Sequence, residues 1–344
     1  MDSKNFNFIF LSSFLCLLFI IGGFNYIVNP HSKYQHRIFR PLTSTSHKDK
    51  YYLLKKYVTS PDVIILGSSR SASLDPDYIN TRTSLNTFNS SVNAAMMEDL
   101  FTINRFINDY YEDKPKLYLI GLDLRMFKPK VLPNDGLEIF FTLGQDFNNT
   151  NLYNRIKSHW SFFKSLFSIQ QARDAMKVFV FEYLISWPEP KGYYSPNGML
   201  IYNNSIEKDR HSLASKIKET NELYINNIYD DYAGMDLNRL RILEDLLLLN
   251  HDHNVEVKLF LTPLHPLTKK YLDSHGIYSA HKQQLIEYLK ELTHTHPFEF
   301  YDLSDIATFE GLAEEFYDGE HIRVANGHRI LDYIFIDSKL GTLP

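Results

Sequence analysis

The chain has 344 residues, with 36 Lys+Arg against 41 Asp+Glu and a net charge of −5, which excludes a protein built to neutralise nucleic-acid phosphates. With 44% hydrophobic and 22% charged residues it is a folded chain, and a mean hydropathy of −0.28 excludes a polytopic membrane protein. The single cysteine, Cys16, excludes both an internal disulfide and a thiolate zinc cluster.

Residues 6–28 carry no charge and are apolar apart from two Asn and two Ser. A run of this length crosses a bilayer core of about 30 Å at about 1.5 Å per residue. A cleaved signal peptide would have a shorter apolar core and a small-x-small site after it. Here Gly22-Gly23 is followed by Phe24, Asn25 and Tyr26, and Leu15 before Cys16 is not the small residue of a lipoprotein site. Residues 1–30 are therefore expected to form an uncleaved signal anchor. Lys33, Arg37 and Arg40 follow the span and only Lys4 precedes it, a balance that points the large domain to the cytoplasm. Long domains translocate regardless of such flanks, so the two arguments conflict. Residues 31–55, rich in His, Ser and Thr and holding Pro41, are expected to be a juxtamembrane linker.

Val63 to Leu66 is a continuous apolar run closed by Gly67, the pattern of a parallel strand covered on both faces. Further strands are expected at 86–89, 117–122, 255–261 and 298–301. Helices are expected at 93–111, 236–250, 279–295 and 326–335. This alternation predicts an α/β fold, a doubly wound, mostly parallel five-stranded sheet spanning 56–133 and 231–344. Residues 134–230 break the rhythm. They hold a long helical stretch over 152–185 with Trp160 and many Phe, a Pro/Gly-rich segment from Trp187 to Gly198, and a polar helix. The segment leaves directly after the third strand. It is expected to be a helical insertion over the carboxyl edge of the sheet, where ligands bind in such folds.

Two motifs converge on that edge. Gly67-Ser68-Ser69-Arg70 follows the first strand. A Ser there can be a nucleophile beside backbone N–H groups, a helix cap, or part of a phosphate-binding turn. Asp318-Gly319-Glu320-His321 precedes the last helix. Its His can take a serine proton and its Asp can orient the ring, though 14 His make any single one weak evidence. Thr262-Pro263-Leu264-His265-Pro266 follows the fourth strand, so His265 can line the same edge, or be an ordinary loop residue. His251/His253 and His294/His296 lack the spacing of metal ligands, so no metal is expected.

The order of the two motifs resembles the SGNH/GDSL hydrolase superfamily, where Gly-Asp-Ser follows strand one and Asp-x-x-His ends the domain. On that resemblance Ser69 takes the nucleophile position, and Asp318 and His321 complete the triad. Asn89-Ser90-Ser91-Val92-Asn93-Ala94 looks like the second block, in which Ala94 replaces a Gly whose N–H enters the oxyanion hole and Asn93 and Asn89 lie beside it. The third block departs. Gly121-Leu122-Asp123 places Asp123 where the family has an Asn donor, and an ionised carboxylate accepts without donating. Arg70 and Arg125 are candidates to pair with it. The anchor narrows the resemblance to membrane-anchored proteins of bacterial cell-envelope loci, such as the D-alanine-transfer protein of teichoic acid modification and alginate acetylation proteins. Those proteins face outside the cytoplasm, which outweighs the flanking charge. The resemblance implies an esterase or O-acyltransferase that needs no cofactor and acts on an envelope glycan or glycolipid. A polytopic membrane acyltransferase is an implied partner. The rival it leaves open is a catalytically inactive relative that binds glycan or that partner.

Overall fold

The computed structural model describes residues 3–31, 34, 36, 38–42, 45–57, 59–129, 163–228 and 234–335. They fall into two compact units, residues 1–46 with 145–190 and residues 47–144 with 191–344. Helix α1 (Ser3–Val28) opens the first unit. Its stretch from Asn5 to Val28 is long and apolar enough to cross a membrane, and residues 5–17 of it are exposed.

The second unit begins earlier than the expected linker allows. His47–Lys56 is a helix, α2, whose Tyr51 and Leu54 enter the main core. Two apolar side chains near one face give this short polar segment something to bury. Next come β1 (Val63–Leu66), α3 (Pro76–Thr83) and β2 (Thr87–Asn89). Asp75 caps α3, accepting the Asp77 N–H at 3.0 Å, with Pro76 in the first turn, where a missing N–H goes unused. Helix α4 (Met97–Tyr110) starts four residues later than expected. The reason is Ala94, whose φ of 53° stops a right-handed helix from forming through it. β3 (Leu117–Leu122) follows and runs into a 3-10 turn, Leu124–Phe127.

The expected insertion does not form one element. Residues 134–162 lie outside the described residues. Helix α5 (Ile169–Tyr183) belongs to the first unit and packs Ala175 and Val178 on Val28 of α1. From residue 191 the chain belongs to the second unit. There the Pro/Gly-rich stretch forms a hairpin, β4 (Gly192–Tyr194) with β5 (Leu200–Tyr202), and then α6 (Asn204–Lys208) and α7 (Leu213–Leu223). Helix α8 (Leu237–Asp252), β6 (Glu256–Leu261), α9 (Pro266–Ser274), α10 (Tyr278–Leu292), β7 (Glu299–Asp302) and α11 (Val324–Phe335) complete it.

Five strands pair in parallel in the order β2-β1-β3-β6-β7. Successive side chains of a strand point to opposite faces, and both faces are covered. Ile64, Leu66, Tyr118, Ile120, Leu259 and Leu261 pack with α2, α4, α8 and α10. Ile65, Leu119 and Phe260 pack with α3 and α11. The chain reverses its direction of strand addition between β1 and β3. Ligands of doubly wound sheets bind beyond the carboxyl ends of the strands at such a switch point, and Ser69 and Asp123 follow those two strands.

Candidate active site

β1 delivers Ser69 through a run of tight turns. The N–H groups of Ser71, Ala72 and Leu74 reach back three residues, to the carbonyls of Ser68, Ser69 and Ser71. Two glycines make room for this loop. A Cβ on Gly67 would lie 2.5 Å from Ser71 Oγ, and one on Gly121 would lie 2.0 Å from it. The shape of the turn thus depends on bare backbone at the ends of both β1 and β3.

The loop before α11 meets Ser69 from across the sheet edge. Ser69 Oγ and His321 Nε2 are 2.9 Å apart, and His321 Nδ1 and Asp318 Oδ2 are 2.7 Å apart. Asp318 Oδ1 accepts the N–H groups of Glu320 and His321, both at 2.8 Å, so the carboxylate orders its own loop before it orders the ring. Burial pulls the His321 pKa down, but Asp318 and then Glu320 outweigh it and hold the ring above its ordinary 6.5. Burial likewise pushes the Asp318 carboxyl up, and the facing His321 with the two N–H groups brings it below the ordinary carboxylate range. Each partner favours the charged form of the other.

β2 hangs the second block beside this pair. The Ser90 N–H donates to Ile65 O at 2.8 Å and the Val92 N–H to Gly67 O at 3.1 Å. Two residues on stands Ala94, in the left-handed conformation that glycine adopts freely. Asn93 is beside it and half-buried. Among the described residues neither the Ser69 N–H nor the Ala94 N–H has a protein acceptor. Both are available to an incoming oxyanion.

Other expected site residues do something else. Asn89 was expected to line the site, yet it is fully buried. Its amide donates to the carbonyls of Ser71, Ala72 and Leu74, at 3.0, 3.3 and 2.9 Å, and its Oδ1 accepts the Ser91 N–H. It staples the Ser69 loop to the second block. Asp123 was expected in the oxyanion hole. It is buried and turned away from that role, accepting the Ser68 hydroxyl at 2.7 Å and the Met126 N–H at 3.3 Å. Among the described residues no ion pair joins it to Arg70 or Arg125, although its charge still favours that of Arg70. The buried Arg70 guanidinium instead donates to the Thr262 and Pro263 carbonyls at 3.0 and 2.5 Å. Burial opposes its charge, while Tyr224, Asp123 and Glu320 favour it on balance. Arg70 thereby ties the Ser69 loop to the end of β6. His265 is also buried. Its Nδ1 caps α9 by accepting the Leu267 N–H, and its own N–H holds Gly319 O at 3.0 Å. Burial depresses its pKa, against the Ala313 carbonyl and Asp318.

Residues 202–224 contribute what the sequence motifs did not mark. Thr220 Oγ1 accepts the Gly319 N–H at 3.3 Å, and a Cβ on Gly319 would come within 2.3 Å of Thr268 Oγ1 and 2.8 Å of Thr220. Tyr224 Oη donates to Glu320, and Tyr202 stacks obliquely on Tyr317 with ring centres 4.4 Å apart. Arg323, fully buried, donates to the Phe316, Glu207 and Asp209 carbonyls. Helices α6 and α7 therefore clamp the His321 loop from the side. Only tertiary contacts reveal this, since Thr and Tyr in a polar helix carry no motif. A cavity of about 310 Å³ lined by Leu264, Lys269, Asp273 and Ser304 opens at the ends of β6 and β7 and contains no triad residue. Among the described residues no three His, Cys, Asp or Glu side chains converge as metal ligands would. The chain matches no family model and no curated protein.

Proposed function

We propose that the chain is a serine-dependent acyl-transfer enzyme of the SGNH type, an esterase or O-acyltransferase. In this reading it acts outside the cytoplasm on a cell-envelope polysaccharide or glycolipid, held to the cytoplasmic membrane by residues 6–28. The observation that carries the reading is the hydrogen-bonded relay Asp318–His321–Ser69, drawn from opposite ends of the chain and closed at 2.7 and 2.9 Å. A structural serine has no need of an oriented imidazole, and a surface His has no need of a carboxylate behind it.

Neutral His321 accepts the Ser69 proton at Nε2 as Oγ bonds to the ester carbonyl carbon. The carbonyl electron pair moves to oxygen, which faces the free N–H groups of Ser69 and Ala94. His321 returns the proton to the leaving alkoxide as the C–O bond breaks, leaving acyl-Ser69. A water or a sugar hydroxyl then gives its proton to Nε2, attacks the acyl carbon and expels Ser69, which His321 reprotonates. Asp318 fixes the ring tautomer and stabilises the imidazolium in both halves.

The second reading is a catalytically inactive envelope protein that binds glycan or a polytopic acyltransferase partner. Asp123 favours it, because the carboxylate is occupied by Ser68 and Met126 and offers the oxyanion no donor. A fluorophosphonate probe added to the full chain in detergent separates the two. The enzyme reading expects a stoichiometric adduct on Ser69 and none in Ser69→Ala. A correctly folded wild-type chain that stays unlabelled would sink it.

A further inference from the structure

Helix α5 leaves an apolar stripe uncovered. Its inner face packs on α1, with Ala175 and Val178 against Val28. On the flank next to that face Ile169, Met176, Phe179 and Tyr183 recur at helical spacing and are 70%, 54%, 40% and 61% exposed. At 100° per residue these four lie within one narrow sector, with Arg173 and Lys177 along one border. A helix of a soluble surface would place its charges at the centre of this face.

The level of the stripe follows from α1. About 20 residues at about 1.5 Å each cross the hydrocarbon core, so a span entering at Phe6 leaves it near Asn25. Asn25 is fully buried, and its amide donates to the carbonyls of Leu166 and Ser168, at 2.7 and 3.2 Å, where α5 begins. Gly22 sits so close to the Phe167 ring that a Cβ there would lie 2.9 Å from it. The next turn of α1 carries an aromatic cluster, Tyr26 with Tyr34 and His36 at ring distances of 5.1 and 4.5 Å. Trp187, just past α5, lies under the Arg40 guanidinium at 5.0 Å. Tyr and Trp collect where hydrocarbon meets water, and amphipathic helices with a basic border lie in that zone.

We infer that α5 is a membrane-interface helix, whose Ile169–Met176–Phe179–Tyr183 stripe inserts among the lipids of the same bilayer that α1 enters. The first unit is then a two-helix foot, one helix across the membrane and one lying on it. The occupant of the stripe is lipid because the exposed apolar surface of α1, including Tyr26 and Ile27, lies on the helix that α5 packs against. This inference stands on the first unit alone and does not depend on the chemistry at Ser69.

Single cysteines placed at residues 169, 176, 179 and 183 in a Cys16→Ser full chain, labelled with bimane, test it. The chain is reconstituted in phosphatidylcholine–phosphatidylglycerol vesicles, with and without bromine on the acyl chains. A Phe14→Cys probe within α1 reports insertion. Brominated lipid should quench all four stripe probes at least twofold, as it quenches the Phe14 probe, and should quench a Lys177→Cys probe less. Aqueous iodide should show the reverse order. Stripe probes quenched by iodide and untouched by brominated lipid would overturn the inference, since the stripe would then face water. Probes shielded from both quenchers would overturn it too, since protein would then cover the stripe. All five α5 sites are exposed, and what the substitutions remove is confined to the Phe179–Tyr183 and Tyr183–Phe39 ring contacts and the Lys177–Asp174 ion pair.

Discussion

Asp123→Asn restores the residue that the SGNH pattern has in its third block, and the structure predicts that it will do harm. The carboxylate accepts two bonds at once, a 2.7 Å hydroxyl bond from Ser68 and a 3.3 Å bond from the Met126 N–H. The shorter one has the length of a charge-assisted hydrogen bond. An amide has one acceptor oxygen, which can keep the Met126 N–H while the NH2 donates to the Ser68 hydroxyl, whose own proton must then turn away. Exchanging a charge-assisted bond, worth about 1.5–3 kcal/mol, for a neutral one of about 1 kcal/mol gives about 1 kcal/mol of destabilisation. Arg70 also loses a nearby negative charge, with Glu320 as the remaining carboxylate. For a domain of this size the midpoint of thermal unfolding should fall by roughly 2–4 °C. Ser68 precedes Ser69, so loosening it moves the Ser69 hydroxyl relative to His321. Fluorophosphonate labelling should slow about tenfold, equivalent to about 1.4 kcal/mol in the barrier. Circular dichroism melting and timed labelling of the full chain in detergent measure both. Faster labelling with an unchanged midpoint would refute the positioning role and make Asp123 a degraded oxyanion position.

The proposed reaction uses neutral His321, whose folded pKa lies above 6.5, so the acid limb of kcat/KM for a model ester should fall above pH 6.5 and move down in Asp318→Asn. The same pair sets a stability window. The raised His321 pKa contributes stability that is present below about pH 6.5 and lost as pH climbs through the folded pKa, and the lowered Asp318 pKa contributes stability lost as pH falls below about 3.8. Denaturant midpoints across pH should show both flanks, and a flat profile would contradict the coupling. Ala94→Gly should hold or raise stability by up to about 1 kcal/mol, because φ of 53° strains an alanine, whereas Ala94→Val should lower it by more than that. A reporter active only outside the cytoplasm, fused after Pro344, should be active if the Ser69 domain is extracytoplasmic, and activity of a cytoplasm-only reporter there would overturn that placement.

Local patterning was enough for the sheet. Val63–Leu66 and Leu117–Leu122 announce strands because both faces are covered, so every side chain along them is apolar whichever way it points. Gly67-Ser68-Ser69 and Asp318-x-x-His321 stood out because their order along the chain resembles the SGNH pattern. The starts of α2 and α4 were not legible. One depends on Tyr51 and Leu54 finding a distant core, and the other on a left-handed turn at Ala94 that alanine does not advertise.

The sequence alone therefore determined the parallel α/β scaffold and the apolar N-terminal helix, because each is written in a contiguous run, while Ser69, Asp318 and His321 were marked by a motif order that resembles a known family. Tertiary structure decided what the remaining polar residues do. Asn89, Asp123, Arg70 and His265 all stand at the carboxyl edge of the sheet, where a sequence reading assigns them to the site. Their partners lie across the fold: three loop carbonyls, the Ser68 hydroxyl, the carbonyls after β6, and the Leu267 and Gly319 backbone. Tertiary structure also divided one irregular segment between α1, through Ala175 and Val178, and the His321 loop, through Thr220 and Tyr224. A buried polar atom takes its role from whichever partner satisfies it, and chain order does not encode that partner.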